Sequence, residues 1–211
     1  MEVCFFHFKH LLIGIEREWK EMIDANFEET IEHYLSLERT ALDSVRIREV
    51  SGLARRIDEI RIGKGTVFVV GNGGSAATAS HFATDLGVGS LIRGKPVRAV
   101  SLCDNLAAIT AMGNDLDYDS IFEKQLVLLS KPDDLLILLS ASGNSKNLLK
   151  AVKVARKIGV SCYSLTGFDG GELKELTSGA NIHIETPSGA YGVVEDIHLA
   201  ICHAITDCIR L

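Results

Sequence analysis

The sequence predicts an α/β protein: a parallel sheet with helices on both faces, preceded by an N-terminal helical arm. Two observations carry this. Short apolar or β-branched runs recur at Thr66–Val70, Val97–Val100, Leu135–Leu139 and Ser161–Leu165, each the length of a buried strand. Helical stretches separate them, and strand–helix alternation implies parallel strands covered on both sides. The chain has 211 residues, 46% of them hydrophobic and 24% charged, enough for one such domain with a real core.

The elements follow in order. Two helical stretches come first, Asn26–Val45 and Ile47–Ile62. Leu35, Leu37, Ala41, Leu42 and Val45 give the first an apolar stripe with acidic neighbours, and such an arm often packs on another subunit. The expected division is an arm over residues 1–62, with no role assigned to the first 24 or so, and a domain over 63–211. Within the domain, helices are expected at Ala76–Leu86, Asn105–Met112, Ser120–Leu129 and Ser145–Ile158. Ile182–Ile184 reads as a last, weaker strand and Val193–Ile209 as a closing helix.

The formal net charge is -6, so the chain has no general attraction for nucleic acid or an anionic membrane. A phosphorylated ligand must then be held by local donors. The five cysteines, at 4, 103, 162, 202 and 208, are odd in number and form no Cys-x-x-Cys, which reads as reduced thiols in a reducing compartment. His7, Lys9, His10 and Glu16 interrupt the apolar opening, so neither a membrane span nor a signal peptide is expected there. The expected location is cytoplasmic.

In an open parallel sheet, ligands bind beyond the carboxyl ends of the strands. Two loops stand there. Gly71-Asn72-Gly73-Gly74-Ser75 follows TVFVV and opens a helix; its glycines allow close backbone approach and the helix start offers free N–H groups. Ser140-Ala141-Ser142-Gly143-Asn144-Ser145 follows LLILL and opens the helix directly after it, making an anion cradle of hydroxyls and backbone without lysine or arginine. Gly-rich turns and Ser caps are routine singly; two at corresponding strand ends point to a site. Neither loop has the dinucleotide or P-loop spacing.

The segments GNGGSAATASHFATDL, AMGNDLDYDSIFEKQL, SASGNS, LTGFDGG and YGVVEDIHLAICH, in this order, resemble the phosphoheptose isomerases of the sugar-isomerase (SIS) domain family. The resemblance runs from about Thr66 to the C-terminus, and the preceding helices match the family's helical arm. It implies a flavodoxin-like parallel sheet, a homotetramer and zinc as cofactor. Carried over residue by residue, it implies that Ser140, Ala141, Ser142 and Ser145 hold the sugar phosphate. Asn72, Gly73, Gly74, Ser75, Asn114 and Asp115 would line the sugar, with Asp85 and Glu195 also touching it. His81, Asp85, Glu195 and His203 match the metal-binding and catalytic cluster, with Asp85, Glu195 and His203 in the proton-transfer roles. The better-known members have glutamate where this chain has Asp85, and glutamine where it has Glu195.

Helical spacing supports part of this independently. His81 and Asp85 are i and i+4, so their side chains share a face, as a metal pair, an acid–base pair or a solvated ion pair would. Glu195 and His203 lie eight residues apart, about 12 Å along a helix rising about 1.5 Å per residue. Either the helix begins after Glu195, or a neighbouring subunit completes the site. His198 and Cys202 read as core or interface residues, and His7, His10, His33 and His183 carry no motif. The implied reaction is aldose–ketose isomerisation of sedoheptulose 7-phosphate to D-glycero-D-manno-heptose 7-phosphate through an enediol, supplying nucleotide-activated heptose. A non-catalytic sugar-phosphate-binding regulator and an isomerase of another sugar phosphate are the alternatives. Retention of all four polar cluster positions points to an enzyme.

Overall fold

The structure, a computed structural model, describes residues 27–211. The N-terminal stretch, with Cys4, His7 and His10, lies outside the described residues. Residues 38–211 form one compact unit; residues 27–37 carry the first part of helix α1 (Phe27–Asp43). That unit includes α2 (Ile47–Ile62), which the sequence reading assigned to the arm. The reason is its apolar stripe: Val50, Leu53, Ala54, Ile57 and Ile60 are buried in the domain. On α1 Ala41 is buried, whereas Leu35 and Leu42 are exposed.

Five strands follow: β1 (Thr66–Gly71), β2 (Arg98–Ser101), β3 (Leu135–Ser140), β4 (Ser161–Thr166) and β5 (Asn181–His183). All neighbouring pairs are parallel, in the order β2-β1-β3-β4-β5. This is the doubly wound, flavodoxin-like order. Val67, Phe68, Val69 and Val70 of β1 and Leu135–Leu139 of β3 are almost wholly buried, as central strands covered on both faces must be. Phe68, Val70, Leu136 and Leu138 pack with side chains of α5 (Ile121–Leu129), α6 (Lys146–Ile158) and α7 (Gly171–Leu176). On the other face α2, α3 (Gly74–Thr84) and the closing helix α8 (Tyr191–Arg210) pack together.

Each expected strand is present within one or two residues. The structure adds one element and decides one alternative. The six-residue α7 was not anticipated; Gly170 and Gly171, at positive φ, set it off from β4. And α8 starts at Tyr191, before Glu195, so Glu195 and His203 stand on one continuous helix.

The strand order reverses between β1 and β3, so the loops after these strands diverge to opposite faces and leave a crevice between them. Both loops singled out in the sequence stand at this crevice.

Candidate active site

The crevice holds a cavity of about 110 Å³ lined by Asn72, Ser75, Leu139, Ser140, Ala141, Ser142, Ser145, Tyr191 and Glu195. Among these lining residues only Glu195 carries a formal charge.

The serine loop is braced from within. Ser140 Oγ accepts from the backbone N–H of Gly143 at 3.0 Å, which bends the loop. Gly143 sits at φ 66°, and a Cβ there would collide with the carbonyl of Gly170, so only glycine suits the position. Asn144 ties the loop to α7: its Oδ1 accepts from Glu172 N–H at 3.1 Å. Ser145 is the N-cap of α6 and its hydroxyl makes no capping bond. The three hydroxyls therefore differ. Ser140 shapes the loop, Ser142 Oγ accepts from Asn144 N–H at 3.4 Å, and all three serines line the cavity.

The glycine loop meets the same cavity. Gly73, at φ 56°, turns the chain into α3. The next residue, Gly74, leaves room for the Glu195 carboxylate, which a Cβ would strike. Glu195 thus lies against the start of α3, where a negative charge is favoured.

A second cluster stands two turns further along the same helices. His81 Nε2 lies 3.5 Å from Asp85 Oδ2, His203 Nε2 lies 3.7 Å from that oxygen, and the two Nε2 atoms are 3.3 Å apart. The rings meet edge to face at a centroid distance of 4.9 Å. Asp85 opens a five-residue π turn, Asp85–Gly89, that continues α3; such turns recur at functional sites. Arg210 Nη2, 3.6 Å from Asp85 Oδ1, holds the other carboxylate oxygen, and Gly89 gives the guanidinium room.

The donor set fits a divalent metal. Ligands about 2.0–2.1 Å from a tetrahedral zinc stand about 3.3–3.4 Å from one another. Two imidazole nitrogens and one carboxylate oxygen at 3.3, 3.5 and 3.7 Å are close to that spacing, with a fourth position open.

The predicted residues thus fall into groups. Asn72, Ser75, Ser140, Ala141, Ser142, Ser145 and Glu195 line one cavity, with Gly73 and Gly74 in its glycine loop. His81, Asp85 and His203 converge in a second cluster, and Glu195 is not among its members. The expectation that all four share one metal is not met within one chain, because the continuous α8 holds Glu195 and His203 apart. Asn114 and Asp115, at the end of α4 (Leu106–Asp115), are exposed and outside the cavity lining; Asn114 Nδ2 donates to Asp115 Oδ1 at 2.8 Å. Three polar residues were missed. Tyr191 lines the cavity, its ring edge-on to Phe168 at 5.0 Å. Tyr118 and Asn147 both hydrogen-bond Asn72. Tyr191 lies one helical turn before Glu195, a spacing visible in the sequence.

The SIS domain family matches residues 27–167. The probable phosphoheptose isomerase of Thermoplasma acidophilum is 34% identical over 172 residues, covering 82% of this chain and 93% of the relative. The phosphoheptose isomerase of Helicobacter pylori is 36% identical over 183 residues, covering 87% and 93%. The chain belongs to the phosphoheptose isomerase family. Among solved structures, the family member from Francisella tularensis superimposes with a TM-score of 0.78 at 29% identity, over 88% of this chain and 98% of that one. The member from Neisseria gonorrhoeae gives 0.72 at 31%, over 90% and 98%. As a member of the phosphoheptose isomerase family the chain is an enzyme, a sugar-phosphate isomerase.

Proposed function

We propose that the protein interconverts sedoheptulose 7-phosphate and D-glycero-D-manno-heptose 7-phosphate, on the route to nucleotide-activated heptose. The observation that carries this is the pairing, on helices α3 and α8, of an anion cradle with a convergent imidazole–carboxylate cluster. Ser142, Ser145 and the start of α6 hold the phosphate, and Asn72, Ser75 and Glu195 bind oxygens of the sugar. Remote phosphate binding positions the reacting carbons.

Isomerisation moves one proton between C1 and C2 through an enediol. Asp85 takes that proton. Its Oδ2 faces the imidazoles, while Oδ1, 3.6 Å from Arg210 Nη2, lies outside that triad. His203 exchanges protons with the hydroxyls, and Glu195 orients them from the cradle. His81, Asp85 and His203 would hold zinc, which when bound polarises the carbonyl and steadies the enediolate charge.

The active form is a homotetramer in the cytoplasm. Exposed Leu35 and Leu42 on α1, Leu91 and Ile92 after the π turn, and Leu128 on α5 support self-association, and the half-exposed His81 and His203 leave room for a neighbour beside the cluster. The described cysteines, Cys103, Cys162, Cys202 and Cys208, are all free, consistent with a reducing compartment. Among the described residues no helix is long and apolar enough to cross a membrane.

The test is a panel of ketose phosphates followed by proton exchange at C1, with elemental analysis and light scattering of the same preparation. Exchange restricted to the seven-carbon substrate, one bound zinc per chain and a tetramer are expected. Absence of exchange with every sugar phosphate would overturn the assignment in favour of a binding protein.

A further inference from the structure

Asn147 is 2% exposed, and no role follows from its bond to Asn72 alone. It stands at the second position of α6, on the β3 side of the crevice, whereas Asn72 stands on the β1 side. The two amides bond reciprocally: Asn147 Nδ2 donates to Asn72 Oδ1 at 2.8 Å, and Asn72 Nδ2 donates to Asn147 Oδ1 at 3.0 Å. Tyr118 OH also donates to Asn72 Oδ1, at 3.0 Å.

The orientation of this pair follows from one backbone group. The N–H of Leu148 lies 2.9 Å from the side chain of Asn147 and can only donate, so the atom it meets is the oxygen. With Asn147 Oδ1 so placed, the Asn72 atom bonded to it must be the amide nitrogen. Asn72 Oδ1 then faces Asn147 Nδ2 and Tyr118. Both acceptor positions of Asn72 Oδ1 are filled, and one of its two Nδ2 hydrogens is engaged. A single N–H is left to a residue that lines the cavity.

We propose that Asn147 is a positioning residue: it locks Asn72 so that Asn72 meets the substrate only as a hydrogen-bond donor. The ligand atom it selects is an acceptor oxygen of the sugar phosphate. Asn147 also ties together the two loops that form the crevice, 75 residues apart in the chain. The inference rests on the proposed role of the cavity in substrate binding.

A double-mutant cycle tests it. Asn147→Leu removes both bonds to Asn72 at similar volume. Asn147→Asp keeps the acceptor for Leu148 and for Asn72 Nδ2 but loses the donor. Each is made alone and with Asn72→Ala, and KM, kcat and melting temperature are measured with sedoheptulose 7-phosphate. Asn147→Leu alone is expected to raise KM roughly tenfold with a smaller change in kcat, and to change KM less than about twofold in the Asn72→Ala background. Asn147→Asp should fall between wild type and Asn147→Leu. Equal KM effects in both backgrounds, or a lowered melting temperature with KM unchanged, would overturn the proposal. If Asn147→Leu does not fold, Asn147→Asp carries the same cycle. Nitrogen-15 spectra separate this from a failure of the isomerase reading. The Asn72 side-chain amide should show two resolved, shifted N–H signals that move on Asn147→Asp whether or not the protein turns substrate over. Signals that stay at random-coil positions would overturn the clamp itself.

Discussion

The cradle and the imidazole–carboxylate cluster share two helices but are built on opposite plans. The cradle is made from backbone and small neutral side chains, and its geometry is set by buried groups: the Ser140 brace, Gly143 under Gly170, and the Asn72–Asn147 pair. The cluster is made from three ionisable side chains, two of them half exposed, and its geometry is set by helical spacing and the π turn. A phosphate that is never transformed suits a preformed surface. A proton transfer needs groups whose charge can change, and water or a metal must reach them. The plans therefore predict different failures: cluster variants should lose turnover and keep binding, and cradle variants the reverse.

Asp85→Asn should have the largest effect. It keeps the shape but removes the proposed base and one donor of the triad, so turnover should fall by roughly 10²–10⁴-fold, with His203→Ala at least tenfold down. Zinc affinity measured by chelator competition should fall in both, and phosphate binding measured by calorimetry should survive. Full activity in both variants would remove the catalytic role from the cluster. Glu195→Gln should cost far less, because an amide still bonds sugar hydroxyls.

Gly143→Ala breaks the cradle instead. A Cβ at a positive φ, driven into the Gly170 carbonyl, forces the loop off α7. A loss of about 2–4 kcal/mol in stability is expected from such backbone strain, read by urea unfolding. Ser142→Ala with Ser145→Ala is milder: two hydroxyl donors go and the backbone remains, so binding should weaken by roughly 1–3 kcal/mol with turnover at saturation little changed. An unchanged KM would place the phosphate elsewhere.

The two regions also differ in how far the sequence reveals them. The strands are legible because apolar runs such as TVFVV and LLILL have no other place than a covered sheet. The cradle loops are legible because glycines and serines directly follow those runs. His81 and Asp85 are legible from their i,i+4 spacing. What the sequence hides depends on long-range pairing. Asn147 reads as one more polar residue in a helix until β1 and β3 are known to be neighbours. The eight-residue separation of Glu195 from His203 is legible on the closing helix, but which residues of α3 each one meets is not. The positions of Asn114 and Asp115 depend on how α4 ends, which no local spacing sets.

Helix α8 joins the two regions, and His198 lies between their contributions to it. Glu195 serves the cradle and His203 the cluster, while His198 is fully buried against the sheet side. Burial pushes its pKa down to about 4. An unfolded histidine keeps a value near 6.5. Between these values the unfolded chain binds a proton that the folded chain refuses, so stability falls as pH falls from about 6.5 toward 4, and is fully present above 6.5. One such group changes stability by at most about 1.4 kcal/mol per pH unit. Half-buried His183, also lowered mainly by burial, acts in the same direction. Urea unfolding of wild type and His198→Leu from pH 4.5 to 7.5 isolates His198, because His183 and the carboxylates are common to both. The stability difference should shift in favour of the variant as pH falls through this window. Parallel curves would mean that His198 takes up its proton in the folded protein, and that the helix shared by cradle and cluster tolerates charge at its buried centre.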